Sequence, residues 1–181
     1  MPTKRLSIIV PISVLMCLVA APVRAADLSI QAAEIVGYGI FESVSSKRFR
    51  GASATSAGFD TVRGVRFTDY TNRIPAVPGS SFGFQYVINS SPKGRPLRVK
   101  GVVRLPEGGM TRPGGRTYET LEETYEIVLG KKELHGFGFD EEWERVPGTW
   151  VLEVWHRDAL LIKRTFEVYL PEDEASENGA E

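Results

Sequence analysis

Cysteine and histidine are nearly absent from the sequence, and it lacks the long apolar runs of a polytopic membrane protein. Among its 181 residues, one is Cys and two are His. A disulfide framework needs at least two cysteines, and a structural zinc site usually takes four Cys or His ligands, so neither is expected. The apolar and charged fractions, 42% and 25%, are typical of one globular domain and exclude a long disordered chain.

The first 25 residues have the three parts of a secretory signal peptide. Two basic residues precede an apolar run over 6–21, and Val23-Arg24-Ala25 supplies the small residues that signal peptidase reads. A membrane anchor is the alternative, but the run is shorter than the ~20 apolar residues that span a bilayer. We expect residues 1–25, including Cys17, to be removed on export to the periplasm or the exterior. No membrane span would then remain.

The rest of the chain is predicted to be one domain followed by a short tail. Residues 26–170 carry the strand pattern described below and are enough to bury a core without any disulfide. Residues 171–181 contain five acids, no base and otherwise only small or polar residues. Such a segment cannot bury enough apolar surface to fold, so it is predicted to be a disordered acidic tail.

Between residues 28 and 170 the dominant hydrophobic period is two, which is typical of half-buried strands. The predicted strands cover residues 28–43, 61–70, 81–89, 96–106, 119–129, 149–156 and 160–170. One helical turn is predicted at 140–145, with Asp140 as its cap. About seven short strands, frequent Gly and Pro turns and no long helix predict an all-β fold, an antiparallel immunoglobulin-like β-sandwich, with a closed barrel as the alternative.

Two local features give predictions at the level of single residues. In the first strand, Gly37-Tyr38-Gly39 indicates a bulge or a change of sheet. In the last hairpin, a three-residue turn at 157–159 would fix the register, because a slip of one residue would move apolar side chains to the wrong face. The expected opposing pairs are Trp150 with Phe166, Glu153 with Lys163, Val154 with Ile162 and Trp155 with Leu161.

Residues that could carry catalysis are few. The Gly-x-Ser-x-Gly sequence Gly79-Ser80-Ser81-Phe82-Gly83 opens a predicted strand, whereas the nucleophile elbow of a hydrolase lies between a strand and a helix. His135 and His156 are expected to be solvated in a loop and at the mouth of a hairpin. Acids such as Glu122 and Glu126 would serve a hydrolase only if they converged in a cleft. The acids of 140–144 lack the spacing of a calcium loop. The sequence therefore predicts no enzyme, no metal and no cofactor.

Charge is unevenly distributed along the chain. Residues 44–116 hold 13 bases and 3 acids, whereas 117–145 hold 9 acids and 3 bases. This polarity could bind a polyanion such as lipopolysaccharide or an acidic partner. Internal pairing is favoured, with the basic 96–106 strand beside the acidic 119–129 strand. Nucleic acid is not expected, because the protein is exported and has no basic stripe interleaved with aromatic residues.

Aromatic residues on the outer side of the last hairpin are candidates for ligand binding. Trp155 and Tyr169 fall on the face opposite its core positions and could stack on a sugar or a peptide. The alternatives are that they cover the edge of the other sheet or lie under the loop that contains Trp143.

Two segments are predicted to be long loops that make contacts, residues 107–117 and 130–147, since recognition often lies on loops of a rigid sandwich. Arg112 and Arg116 in the first of them are further candidate ligand-binding residues.

Several short sequences carry a resemblance to a known family. They are Gly37-Tyr38-Gly39-Ile40-Phe41, Gly79-Ser80-Ser81-Phe82-Gly83-Phe84, Leu105-Pro106-Glu107-Gly108-Gly109 with Arg112-Pro113, and Val146-Pro147-Gly148-Thr149-Trp150 with Leu161 and Phe166-Glu167-Val168. With these the chain resembles the bacterial secreted family known as domain of unknown function 3859. The resemblance implies an immunoglobulin-like sandwich and a secreted location. It implies no activity and no catalytic residue.

Three functional hypotheses follow. The favoured one is an exported, non-enzymatic module that binds a protein or glycan partner in the periplasm or at the cell surface. The second is a structural module that assembles through an exposed edge strand at 28–43. The third is a hydrolase that uses Glu122 and Glu126.

Overall fold

A computed structural model describes residues 29–49 and 59–171, and nearly all of its regular structure is β-strand. The predicted signal peptide and the predicted tail beyond Pro171 lie outside these residues. In the two described ranges, no helix is both long and apolar enough to cross a membrane. The strands are β1 (Ser29–Phe49), β2 (Phe59–Asp69), β3 (Arg73–Pro75), β4 (Ser81–Ser91), β5 (Pro96–Arg104), β6 (Met110–Thr111), β7 (Thr117–Tyr118), β8 (Thr120–Val128), β9 (Lys132–Gly138), β10 (Gly148–His156) and β11 (Ala159–Tyr169).

The strands form two main sheets and one small hairpin. Sheet A has the order β2-β1-β4-β9, sheet B has the order β3-β11-β10-β5-β8, and β6 pairs only with β7. All neighbours are antiparallel except β3, which runs parallel to β11. The predicted β-sandwich is confirmed, with nine strands in its two main sheets rather than about seven and with one parallel pair.

The core lies between the two sheets and is rich in aromatic rings. Along β4 the alternate residues Phe82, Phe84, Tyr86 and Ile88 are each no more than 1% exposed, as the period of two predicts. Trp150 of β10 meets Phe82 edge to face, with 5.8 Å between ring centroids. Burying each of these large side chains stabilises the fold by roughly 2 to 3 kcal/mol, so the core can hold the two sheets together without a disulfide.

The register of the β10–β11 hairpin is confirmed at three of its four predicted pairs, Trp150–Phe166, Glu153–Lys163 and Val154–Ile162. The fourth prediction is wrong, because Trp155 lies opposite Leu160 and Leu161 is an extra residue on β11. The turn has two residues rather than three, and Arg157 takes a positive φ of 53°. Two-residue turns with positive φ match the twist of the flanking strands, and the bulge absorbs the residue left over.

The prediction that the first strand is an exposed edge is wrong for its second half. β1 lies inside sheet A, with β4 paired to residues 29–41 and β2 paired to residues 40–49. The side of its first half that faces away from β4 has no strand partner among the described residues. The predicted bulge is confirmed, with Val36 as the extra residue between Ile35 and Gly37, and a second irregularity follows Ile30. The chain does not change sheet here.

The segment 130–147 is not a loop, contrary to the prediction. It contains β9, which pairs with β4 from Ser81–Gly138 to Val87–Lys132. His135 lies in this strand and is only 7% exposed, so the expectation of a solvated histidine is also wrong. The side chain of Phe139, just after β9, is fully buried.

The one helical turn in the described residues lies within the predicted range but is capped by a different residue. It is a single 3-10 turn at Glu142–Glu144, and the residue before it is Glu141 rather than Asp140. The carboxylate of Glu144 is buried and accepts hydrogen bonds from the backbone N–H groups of Asp140 and Glu141, at 2.8 and 2.9 Å. A buried acceptor thus satisfies the free N–H groups that begin the turn.

Candidate functional site

The two aromatic residues predicted to bind together are far apart. Trp155 pairs with Leu160, nine residues before Tyr169 on β11, which corresponds to about 30 Å along a strand. The indole Nε1 of Trp155 donates to the Glu153 carboxylate at 2.9 Å. The Nε of Arg104 donates to the same carboxylate at 3.1 Å, so Trp155 belongs to a side-chain network on the outer face of sheet B.

The predicted basic pair Arg112 and Arg116 closes the small β6–β7 hairpin. The backbone N–H of Arg112 donates to the carbonyl of Arg116 at 2.8 Å, and the Arg116 guanidinium lies 5.0 Å from the centre of the Tyr118 ring. Met110 and Tyr118 are buried and attach the hairpin to the sandwich, while residues 111–117 are exposed. The tip of this loop is exposed, and its role as a contact element stays a prediction.

Tyr169 lies at one of the two lateral seams of the sandwich, where the chain crosses from sheet A to sheet B. After β2 ends, residues 70–72 pass against β1 at Gly39, where a Cβ would overlap the carbonyl oxygen of Asp69. The chain then enters β3 beside β11. We call this surface the open seam and define it by Tyr38, Tyr70, Asn72, Arg73, Arg164 and Tyr169.

Tyr70 is the most exposed large hydrophobic side chain of the described residues, at 68%. Its ring contacts Phe67, with centroids 5.6 Å apart, and meets Tyr38 edge to face at 6.4 Å. Phe67 can approach β1 because Gly37 has no side chain, and a Cβ there would lie 2.8 Å from the Phe67 ring. The exposed ring of Tyr70 is therefore supported by two neighbouring rings.

Arg164 is a charged residue at an inward position of β11. It lies opposite the buried Leu152, and its guanidinium carbon is 3.1 Å from the centre of the Tyr38 ring. The Nε and Nη2 groups both donate to the Asn72 side-chain oxygen, at 3.0 and 2.8 Å. A neutral amide and an aromatic face therefore hold this cation in the seam.

An open depression of about 470 Å³ continues from Asn72 onto sheet B, lined by Asn72, Arg73, Glu167, Val168 and Tyr169. The Arg73 guanidinium lies 4.9 Å from the centre of the Tyr169 ring. At the far side, the Thr149 hydroxyl binds the Glu167 carboxylate, 3.0 and 3.1 Å from its two oxygens. Tyr169 thus lines a depression that also includes Asn72, the hydrogen-bond partner of Arg164.

The opposite seam encloses its polar groups. We call it the closed seam and define it by Tyr86, Glu123, Tyr125 and His135. The hydroxyls of Tyr86 and Tyr125 are 3.1 Å apart. Burial raises the pKa of both, that of Tyr125 to about 12.

His135 and Glu123 of the closed seam both have shifted pKa values, and burial is the main cause of each shift. His135 Nε2 lies 3.1 Å from the carbonyl oxygen of Val102, and burial lowers the His135 pKa to about 4. The neutral ring therefore donates to this carbonyl. Burial raises the pKa of Glu123 to about 7. Gly101 leaves room for the ring, because a Cβ there would lie 2.7 Å from His135 Cε1.

The structure does not bring Glu122 and Glu126 together as a hydrolase would require. Both are exposed on the outer face of β8, and four residues along a strand separate them by about 13 Å, beyond the 5 to 10 Å of glycosidase carboxylates. Over the described parts of the chain, no three His, Cys, Asp or Glu residues are grouped as a metal site would need.

The basic and acidic strands lie side by side, as predicted. β5 pairs with β8, so Arg98 lies opposite Glu126, and Lys100 forms an ion pair with Glu122 at 3.5 Å. Arg104 binds instead to Glu153 of β10 at 3.1 Å. Part of the charge polarity of the sequence is therefore compensated within sheet B, although exposed pairs of this kind stabilise a fold by only about 0 to 1 kcal/mol each.

Sequence reasoning identified only Tyr169 among the residues of the open seam. Arg164 has a signal in the sequence, because it is the one charged residue in the inward series of Ile162, Phe166 and Val168. Tyr70 and Asn72 have no comparable signal, since their position depends on where the chain crosses between the sheets.

Comparisons with known proteins agree with this architecture. The model of the family "Domain of unknown function (DUF3859)" matches residues 30–168. An immunoglobulin-like protein from Pseudomonas aeruginosa, solved by crystallography, is 24% identical, with a TM-score of 0.56 over 80% of this chain and 98% of that one. No curated protein matches the sequence. The chain therefore belongs to the domain of unknown function 3859 family and has an immunoglobulin-like β-sandwich fold.

Proposed function

We propose that this domain is an exported, non-enzymatic binding module that takes a protein or glycan partner of the cell envelope on its open seam. The observation that carries the proposal is the exposed ring of Tyr70, which is supported by Tyr38 and Phe67 and adjoins the depression lined by Tyr169. Export rests on the signal-peptide pattern of residues 1–25.

A supported and exposed tyrosine suits recognition. Large aromatic side chains supply much contact area with few rotatable bonds, and they dominate the energetics of many interfaces. Contacts with Phe67 and Tyr38 restrict the Tyr70 ring before a partner arrives, which lowers the entropy that is lost on binding. The other exposed large hydrophobic side chains of the described residues are aliphatic, at Val36, Val77 and Leu160.

The non-enzymatic part of the proposal rests on where the titratable groups lie. Besides that of Glu123, the strongly shifted pKa values at the closed seam belong to Tyr86, Tyr125 and His135, which point into the sandwich. Glu144 also has a raised pKa because of burial, but its carboxylate is engaged with two backbone N–H groups. These groups have structural partners in the interior rather than a cleft that faces them.

Assembly through an edge strand receives less support. The free side of β1 is interrupted by two bulges, and bulges disfavour the addition of another strand. On β3 the backbone N–H of Arg73 is already engaged, because it donates to Thr71 Oγ1 at 3.0 Å. The carbonyl of Pro75 accepts from Val77 N at 2.9 Å, and proline has no N–H.

A capture experiment with two matched variants tests the proposal. The purified full chain, Tyr70→Ala and Leu160→Ala are each immobilised and exposed to the same envelope extract. Leu160 is an exposed apolar residue at the other end of β11, so its substitution is the control. We expect a partner that the wild type and Leu160→Ala retain and that Tyr70→Ala loses by about tenfold or more, as for an aromatic hot spot.

The thermal midpoint of each protein serves as the folding control, since Tyr70 is mostly exposed and its loss should leave stability nearly unchanged. Equal capture by all three proteins would contradict the placement of the site at the open seam.

A further inference from the structure

Arg164 differs from the arginines that form ion pairs in the structure. Arg66 pairs with Glu42 at 2.8 Å, Arg104 with Glu153 at 3.1 Å and Arg145 with Glu142 at 2.7 Å. Arg164 has no carboxylate partner among the described residues, and its hydrogen bonds go to the neutral side chain of Asn72. A half-buried guanidinium remains charged at every physiological pH, so its charge is left uncompensated at this position.

The contacts of Arg164 fix its plane and leave donors for a ligand. The Tyr38 ring lies against the guanidinium, and Asn72 takes Nε–H and one proton of Nη2. A guanidinium has five N–H donors, and Nη1 has no acceptor among the described residues. A fixed planar group with donors left over matches a planar carboxylate better than it matches a neutral group.

The other charges of the surface direct an anionic group toward Arg164 rather than into the depression. Arg73 lies opposite Glu167 in the β3–β11 register, so the cation of the depression has an acid beside it. The Glu167 carboxylate is bound by Thr149 at the far side. Arg164 lies on the Tyr38 side of Asn72, and the Tyr38 ring leads to Tyr70.

We propose, on the basis of the function proposed above, that the open seam binds an acidic oligosaccharide, with Arg164 receiving a sugar carboxylate and Tyr70 stacking on a sugar ring. A sugar fits better than a peptide, because extended peptides commonly bind by adding a strand to a free sheet edge. Here the two edges beside the seam are interrupted, β1 by bulges and β3 by Pro75 and its local hydrogen bonds. Recognition must then rely on side chains such as an exposed ring and a fixed cation.

Calorimetric titration of the purified full chain with defined probes tests the inference. The probes are an oligogalacturonate, its methyl ester of the same length and poly-L-glutamate, all in about 0.15 M salt so that non-specific attraction between distant charges is screened. We expect the oligogalacturonate to bind at least tenfold more tightly than its ester. Poly-L-glutamate should bind at least tenfold more weakly than the oligogalacturonate.

Two variants assign the binding to its residues. Arg164→Lys keeps the charge but loses the planar fork, and we expect it to reduce affinity for the acid at least tenfold while leaving affinity for the ester unchanged. Tyr70→Ala should weaken binding of both sugars. Arg66→Lys, at an exposed ion pair, is the matched control and should bind both probes as the wild type does. Thermal midpoints confirm that each variant is folded.

The inference is overturned if acid and ester bind alike, if neither sugar binds, or if Arg164→Lys does not change the preference for the acid. Poly-L-glutamate that binds as tightly as the sugar acid, with the same dependence on Arg164, would replace the sugar with an acidic peptide. The proposed function fails separately, since it requires only that Tyr70→Ala abolish capture of the envelope partner.

Discussion

The two lateral seams of the sandwich hold similar residue types in opposite environments. At the closed seam, β8 continues into β9 after three residues, and the hydroxyls of Tyr86 and Tyr125 bind each other inside the protein. At the open seam, β2 likewise continues into β3 after three residues, but the side chains around this crossing are not enclosed. There Tyr70 is exposed to solvent and Arg164 relies on a neutral amide.

The difference shows that one fold can enclose polar groups at one seam and leave them exposed to solvent at the other. Polar groups that are enclosed must find protein partners, because an unsatisfied buried donor or acceptor costs about 1 to 3 kcal/mol. In the described part of the chain, every buried side-chain polar atom has a partner. Side chains at the open seam can leave hydrogen-bonding capacity for a ligand because solvent satisfies it in the free protein.

The largest effect is expected where β9 packs on β4 at the closed seam. Gly83 of β4 lies opposite Gly136, and a Cβ at Gly83 would overlap the backbone carbonyl oxygen of His135. Gly83→Ala should therefore lower the free energy of unfolding by about 3 kcal/mol, the upper end for overpacking. Urea denaturation measures this loss.

Gly94→Ala is the control for Gly83→Ala. Gly94 has a positive φ of 77°, and no atom lies within 4 Å of the position that a Cβ would take. Only backbone strain of about 1 kcal/mol is therefore expected. Equal losses of unfolding free energy for the two variants would show that the close approach of β4 and β9 does not make Gly83 necessary for stability.

The next effect is the dependence of stability on pH, to which His135 and Glu123 contribute with opposite signs. Burial lowers the pKa of His135 from 6.5 to about 4, so the unfolded chain binds its proton first and stability is lost as pH falls from about 6.5 to 4. Integrated over this window, the loss is about 3 kcal/mol. Burial raises the pKa of Glu123 from 4.5 to about 7, so the folded state binds that proton first and stability is gained as pH falls from 7 to 4.5.

Glu123→Gln removes the stability that protonation of Glu123 adds as pH falls, and it leaves the loss of stability that is due to His135. The variant should therefore lose more unfolding free energy than the wild type between pH 7 and pH 4.5, as measured by urea denaturation at several pH values. The difference between the two proteins cancels the contribution of all other titrating groups. Parallel pH profiles would contradict a raised pKa of the half-buried Glu123 carboxylate.

The smallest effects compare one hydroxyl at each seam. Tyr86→Phe removes the 3.1 Å contact with Tyr125 in the interior and should cost about 1 to 2 kcal/mol, because the Tyr125 hydroxyl loses its partner. Tyr38→Phe keeps the ring on which Arg164 lies and should change stability by less than about 0.5 kcal/mol. Thermal or urea denaturation of both variants gives the comparison, and equal costs would remove the distinction between the seams.

Alternation was a sufficient guide to most of the fold because the inward residues of β4, β5, β10 and β11 are apolar or glycine, with Arg164 as the exception. β9 was not predicted from the sequence because Lys132–Gly138 contains two glycines and a histidine that is buried. The environment of His135 is supplied by Val102 and Gly101 of sheet B, more than 30 positions earlier. Tertiary contacts of this kind override local strand preference.

The open seam was less predictable than the fold for a related reason. Tyr169 could be placed from its position on a strand face, whereas the exposure of Tyr70 depends on the crossing between sheets at Gly39. The predicted partnership of Trp155 and Tyr169 had the correct face but ignored the length of the hairpin. The face of a strand shows only to which side a side chain points, whereas the distance between two side chains depends on the register of the sheet.

The parallel pairing of β3 with β11 also determines the order in which the domain is completed. It joins Arg73 to Glu167, which lie 94 positions apart, and closing a loop of that length costs about 4 kcal/mol by the (3/2)RT ln n relation. The β10–β11 hairpin needs only a two-residue turn, so it can form long before β3 docks. The surface with Asn72, Arg164 and Tyr169 thus exists only after β11 has been synthesised, and a chain truncated before β11 lacks this surface.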